Sequence, residues 1–289
     1  MTNHTPEYYE QQYNNRALVP EHPQIIAHWV GESAKTRATA RCELDLEYGA
    51  SYLEKLDLFF PETPSKALLV FIHGGYWRSL DKNDFSFLAP TFTEQGVTVA
   101  MIDYGLAPQL RIDDIVRQSR VAVAWLAQNA RRYGADASKL YIAGHSAGAH
   151  LTAMMAATHW PSVSTTLPND LIKGLICISG IYDLEPILHV AVNQDVRLDE
   201  AAARRLSPAL LRPAYTTPIV MAVGGDESDE FQRQNQLLLD RWSNLGAMQD
   251  IPLPGTNHFT VVEELVKADS PLHRAAVSMM GVKDRSPPQ

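Results

Sequence analysis

Short, densely apolar runs alternate along this chain with stretches whose apolar residues recur at helical spacing. Residues 67–73 (ALLVFIH) and 97–103 (VTVAMID) are apolar almost throughout, as strands covered on both faces are. Ahead of them, CELDLEY and YLEKLDLFF alternate apolar and polar positions, which predicts a half-buried antiparallel pair. Residues 113–132 carry an apolar face at helical period and stop before Gly134, a C-terminal cap. Next come a strand in KLYIAG, a helix from Ser146, and strands in KGLICIS and PIVMAVG. A helix over 231–245, a strand in MQDIPL and a helix over 261–268 complete the series.

Strands alternating with helices imply a mostly parallel sheet with right-handed crossovers. The prediction is an α/β fold, a mixed sheet of about eight strands flanked by helices, spanning 1–289 as one unit with a helical segment over 1–40. One stretch breaks the rhythm. Over 183–217, two polar, Ala- and Leu-rich helical patterns (ILHVAVNQDV and LDEAAARRL) replace a single crossover helix. Such an insertion between late strands is expected to cap the C-terminal edge of the sheet, with a plain surface helix pair as the alternative.

The formal net charge of −8 argues against a nucleic-acid binder, which would carry a basic patch. Two cysteines, Cys42 and Cys177, make neither a disulfide framework nor a CxxC metal knuckle. The polar N-terminus lacks the apolar core of a secretory signal, and no apolar run approaches the ~20 residues needed to span a bilayer. A cytoplasmic enzyme without membrane partners is the expectation, and a homodimer would be unsurprising.

The segment GHSAG fits G-x-S-x-G, with an apolar strand before it and a helical run after it. That context makes it a nucleophile elbow, the tight turn that lifts a serine above the strand ends of an α/β-hydrolase fold. Ser146 needs a base to take its proton. His145 precedes it in a sharp turn and His150 lies one helical turn on, so both are read as packing residues. In this architecture the order is serine, acid, histidine, with the base after the last strand. His258, in IPLPGTNHFTVVEEL, occupies that place. The acid follows the preceding strand, where Gly-x-x-acid spacing from Gly224 lands on Glu227. Asp226 remains a rival, because one residue in the turn would exchange them, and Asp229 reads as a helix N-terminal residue.

FIHGGYWRS follows the strand over 67–73. The loop there supplies part of the oxyanion hole and the amide after the serine supplies the rest. The donors are assigned as Gly75, Tyr76 and Ala147, with Gly74 shaping the turn. Tyr76, Trp77 and Tyr182 are candidate walls for an aromatic ring. Core packing is the simpler reading of Trp77, and a solvated surface that of Arg78.

Together HGGYW, DYGLAP, GHSAGAHL, SGIYDLEP and ESDEFQRQ resemble the arylformamidases (kynurenine formamidases) of the α/β-hydrolase superfamily, themselves similar to hormone-sensitive-lipase-type esterases. The resemblance implies a hydrolase of N-formylkynurenine in tryptophan degradation, free of metal and cofactor, with an aromatic small-molecule substrate. It matches the serine to Ser146, the base to His258 and the acid to Glu227. Animal members of the family carry aspartate at the acid position, so glutamate is a departure that keeps Asp226 open. A carboxylesterase on short acyl esters is the competing enzyme, since triad and oxyanion hole suit esters equally. A non-catalytic small-molecule-binding relative is the reading from another class, weakened by the survival of every triad candidate in order.

Overall fold

The computed structural model describes residues 4–282. Residues 1–3 and 283–289 of the unit expected over 1–289 lie outside the described residues. Eight strands form one sheet: β1 (Cys42–Glu47), β2 (Lys55–Phe59), β3 (Ala67–Ile72), β4 (Val97–Ile102), β5 (Leu140–His145), β6 (Ile172–Ile178), β7 (Ile219–Gly224) and β8 (Met248–Leu253). Their spatial order is β1-β2-β4-β3-β5-β6-β7-β8. The β1–β2 and β2–β4 pairs are antiparallel and every later pair is parallel. The chain has the α/β-hydrolase fold.

Strand periodicity divides the core. On β3, Leu68, Val70 and Ile72 join one hydrophobic layer while Ala67, Leu69 and Phe71 join the other. The first layer packs under the helices Ile112–Asn129 and Ala147–Ala156, through residues such as Ile115 and Leu151. The second packs under the helices His22–Thr39 and Pro271–Met280, through Trp29 and Ala276. The crossover after β3 lies on the second face and the crossover after β4 on the first, so the winding reverses around β3. In open α/β sheets ligands settle outside the strand ends at such a reversal. Here it brings the loop after β3 beside the turn after β5.

The helix predicted over 113–132 runs Ile112–Asn129, continues as a 3₁₀ turn and ends at Gly134 in the left-handed region (φ 74°). Two expectations need correction. The stretch over 261–268 is a 3₁₀ turn, Thr260–Leu265, because the Asn257 carboxamide accepts the N–H groups of Phe259 and Thr260 and tightens the chain. The true closing helix is Pro271–Met280, capped by Ser270. Within 183–217 the first pattern splits into Glu185–His189 and Asn193–Val196, the second is one short helix, Glu200–Arg205, and a further turn, Pro208–Leu210, follows. Asn193 closes the turn between the two patterns, since its side chain bonds both the N–H and the carbonyl of Leu198. The N-terminal segment is helical over Pro6–Tyr13, Asn15–Leu18 and His22–Thr39.

Candidate active site

Ser146 sits between β5 and the helix Ala147–Ala156 with φ 57° and ψ −121°, backbone space that a side chain enters only when its surroundings force it. The forcing is visible. A Cβ on Gly148 would overlap the Ile72 carbonyl, and one on Gly144 would overlap the Gly148 carbonyl, so the turn closes only around glycine. The Ser146 N–H donates to the Ile178 carbonyl at 2.8 Å, anchoring the elbow to β6.

The Ser146 hydroxyl donates to His258 Nε2 at 3.0 Å, and His258 Nδ1–H donates to Glu227 Oε2 at 2.6 Å. Glu227 Oε1 accepts the Gly224 N–H at 2.7 Å and the Ser179 hydroxyl. The carboxylate is thus fixed by donors from three separate elements. Asp226 is exposed, outside this chain of bonds, and Asp229 opens the helix Asp229–Trp242. A hydroxyl bonded to an imidazole that a buried carboxylate orients is the arrangement that makes serine nucleophilic.

The two neighbouring histidines are engaged elsewhere. His145 Nε2–H donates to the His258 carbonyl at 2.8 Å. Burial, reinforced by the nearby His258 ring, holds His145 well below the usual histidine range and therefore neutral. His150 accepts the Trp77 indole N–H on Nδ1 and donates Nε2–H to the Leu206 carbonyl. Burial pushes its pKa down to about 4. Neither ring reaches Ser146 as a base.

The loop after β3 lies against the serine. A Cβ on Gly74 would come 3.1 Å from Ser146 Cβ, so only glycine lets the loop approach this closely. His73 pins the loop, contacting the Gly74 carbonyl at 2.8 Å and Asp103 at 3.1 Å while stacking on Tyr104. Gly75 (φ 102°) and Tyr76 (φ 52°) turn in the left-handed region, and among the described residues their N–H groups bond to nothing. The Ala147 N–H heads a helix and has no partner within it.

A cavity of about 230 Å³ opens over Ser146 and His258. Tyr76 lines it and donates its hydroxyl to the Tyr13 carbonyl. Trp77 and Tyr182 do not line it, which corrects both as candidate walls and leaves Trp77 with its simpler reading, core packing. Each is fully buried in the core: Trp77 turns to His150, and Tyr182 lies under the end of β6 with its N–H held by Gln234. Arg78 is at the rim, paired with Asp195.

The remaining walls come from segments with no recognisable motif. Tyr13, Asn15 and Arg16 descend from the N-terminus, and Val190 and Val192 from the insertion over 183–217. The N-terminal wall is stapled down. Tyr13 donates to Glu230 at 2.9 Å and accepts from Gln234 at 2.7 Å, while Ser228 donates to the Gln12 carbonyl. Ser179 also escaped the sequence reading, although it stands at the head of SGIYDLEP.

The BD-FAE family model matches residues 56–207. The kynurenine formamidase of Salmo salar is 36% identical over 259 residues, covering 86% of this chain and 85% of that protein. The chain belongs to the kynurenine formamidase family. The kynurenine formamidase of Drosophila melanogaster is 28% identical, with 94% of this chain and 92% of that protein covered. Among solved structures, a candidate thioesterase of Silicibacter sp. TM1040 superposes with a TM-score of 0.83 at 31% identity, over 94% of this chain and 98% of that one. A hyperthermophilic esterase from Pyrobaculum calidifontis shares the fold, with a TM-score of 0.72 at 16% identity over 96% of each chain. Like these kynurenine formamidases, the chain is a hydrolase. No helix among the described residues is long and apolar enough to cross a membrane.

Proposed function

We propose that this hydrolase converts N-formyl-L-kynurenine to L-kynurenine and formate through a formyl-enzyme. The observation that carries the reading is the hydrogen-bond chain Ser146–His258–Glu227 opening into a cavity walled by aromatic groups. Ser146 Oγ attacks the formyl carbon while His258 Nε2 takes its proton. The oxyanion is received by the free amides of Gly75 and Tyr76 and by that of Ala147. Glu227 steadies the imidazolium. His258 then returns the proton to the arylamine nitrogen, the C–N bond breaks, and the amine departs. Water, deprotonated by the same imidazole, attacks the formyl ester; collapse of the second tetrahedral intermediate releases formate and restores Ser146.

A formyl group needs almost no acyl pocket, so the cavity is free to hold the aniline. Short-chain ester hydrolysis is the second reading, supported by the esterases that share the fold. Unpaired Cys42 and Cys177 fit a cytoplasmic setting.

The test is kcat/KM for N-formyl-L-kynurenine beside p-nitrophenyl acetate, with Ser146→Ala as the blank. A large preference for the formamide, lost in the blank, is expected. Ester turnover with negligible deformylation would overturn the first reading in favour of the second.

A further inference from the structure

The cavity wall holds polar groups that the hydrolytic chemistry leaves idle. Asn15 lines the cavity, is only 5% exposed, and its Nδ2 bonds to nothing among the described residues. Buried amides are nearly always paired, and leaving one unpaired is costly, so this carboxamide is set for a partner the protein does not supply. Arg16 lines the same cavity. It enters none of the ion pairs among the described residues, whereas Arg78, the other arginine on the cavity, is taken by Asp195. One carboxylate, Glu10, also lines the cavity, steadied by the Ala191 N–H at 2.7 Å and the Asn14 carboxamide at 3.2 Å.

An uncommitted guanidinium next to an unpaired carboxamide is a site for a carboxylate, which can take donors from both. A simple anion would meet Glu10 unfavourably. A zwitterion presents an ammonium to Glu10 and its carboxylate to Arg16. We propose that Asn15 and Arg16 bind the carboxylate of an α-amino acid tail on the leaving group, with Glu10 facing its ammonium. The inference rests on the formamidase reading and deepens it, because it makes the N-terminal segment the selector of which formanilide is cleaved.

The experiment compares N-formyl-L-kynurenine with 2-formamidoacetophenone, the same formanilide without the amino-acid tail. Wild type, Arg16→Gln, Arg16→Lys and Asn15→Ala are measured. The ratio of kcat/KM for the two substrates is expected to favour the tailed one in wild type. In Arg16→Gln it should fall about tenfold or more, as a rise in KM for the tailed substrate, with partial recovery in Arg16→Lys. Arg16 is exposed, so its variants test the idea even where Asn15→Ala folds poorly. An unaltered ratio in Arg16→Gln, or an equal fall on both substrates, would overturn the inference. Wild type that deformylates both equally well overturns it while leaving the formamidase reading standing. Wild type that deformylates neither overturns both.

Discussion

The Nε2–H of His145 donates to the backbone carbonyl of His258 at 2.8 Å, so the residue before the serine holds the loop that faces it. Both rings are buried and their centroids lie 4.9 Å apart. His145→Ala leaves the His258 carbonyl buried and unpaired, at a cost of about 1–3 kcal/mol in folding stability. Its loop shifts, and kcat is expected to fall about 10- to 100-fold with little change in KM. Steady-state kinetics and urea midpoints on the same preparation check this. A folded variant with wild-type kcat would show that the contact does not position His258.

Glu227 and Asp226 are adjacent in sequence and opposite in consequence. Glu227→Gln keeps the shape but removes the charge that orients His258, so kcat should fall about 10⁴-fold. Asp226→Ala alters only an exposed carboxylate and is expected to stay within about twofold, its stability change within about 0.5 kcal/mol. Kinetics on the two single variants decide it, and equal losses would refute the assignment.

Gly75 stands at φ 102°, and a Cβ there would overlap the Ser79 carbonyl. Gly75→Ala must therefore move the loop that is proposed to supply oxyanion donors. A loss of about 10²–10³ in kcat is expected, the magnitude of losing one oxyanion donor. Labelling by a fluorophosphonate should slow in parallel, since that reaction builds charge at the same place. Normal labelling beside impaired turnover would argue against the role.

Two buried neutral histidines tie stability to pH. His150 is pushed down to about 4 in the fold and returns to the ordinary histidine value on unfolding. Between those values the unfolded chain binds more protons than the folded one, so stability rises with pH across that window. It is fully present above the unfolded pKa and is lost as pH falls through it toward about 4. His145, also lowered by burial, acts in the same direction. Urea unfolding at pH 7 and pH 4.5 should show a clear loss at the lower pH. The His150→Gln variant should show a shallower dependence, and an unchanged slope would count against His150 as a source.

The site's centre was legible because its chemistry demands local patterns. A fully apolar strand, a glycine-bounded serine and a helix leave few backbone options, and Ser146 follows from them. His258 and Glu227 were reachable through chain order, though only the contact at 2.6 Å separates Glu227 from Asp226. Tyr182 was misread as a wall because proximity to a motif says nothing about which way a ring points, and its ring, like that of Trp77, points into the core. Asn15 and Arg16 carried no signal at all. Their segment is polar, and its place in the site depends on Tyr13 reaching Glu230 and Gln234, a contact no local spacing encodes.

That contact joins positions 217 residues apart. Synthesis runs from the N-terminus, so these wall residues are made before the rest of the site, yet the Tyr13 hydroxyl has no partner until the helix Asp229–Trp242 has emerged. His258 arrives later still. A ribosome-bound chain can therefore complete its Ser146 elbow while lacking both its base and the bonds that staple the Tyr13 hydroxyl. Hydrolytic competence switches on only as the last strand and the loop after it join the sheet, and a prematurely ended chain would carry an elbow serine that lacks its base.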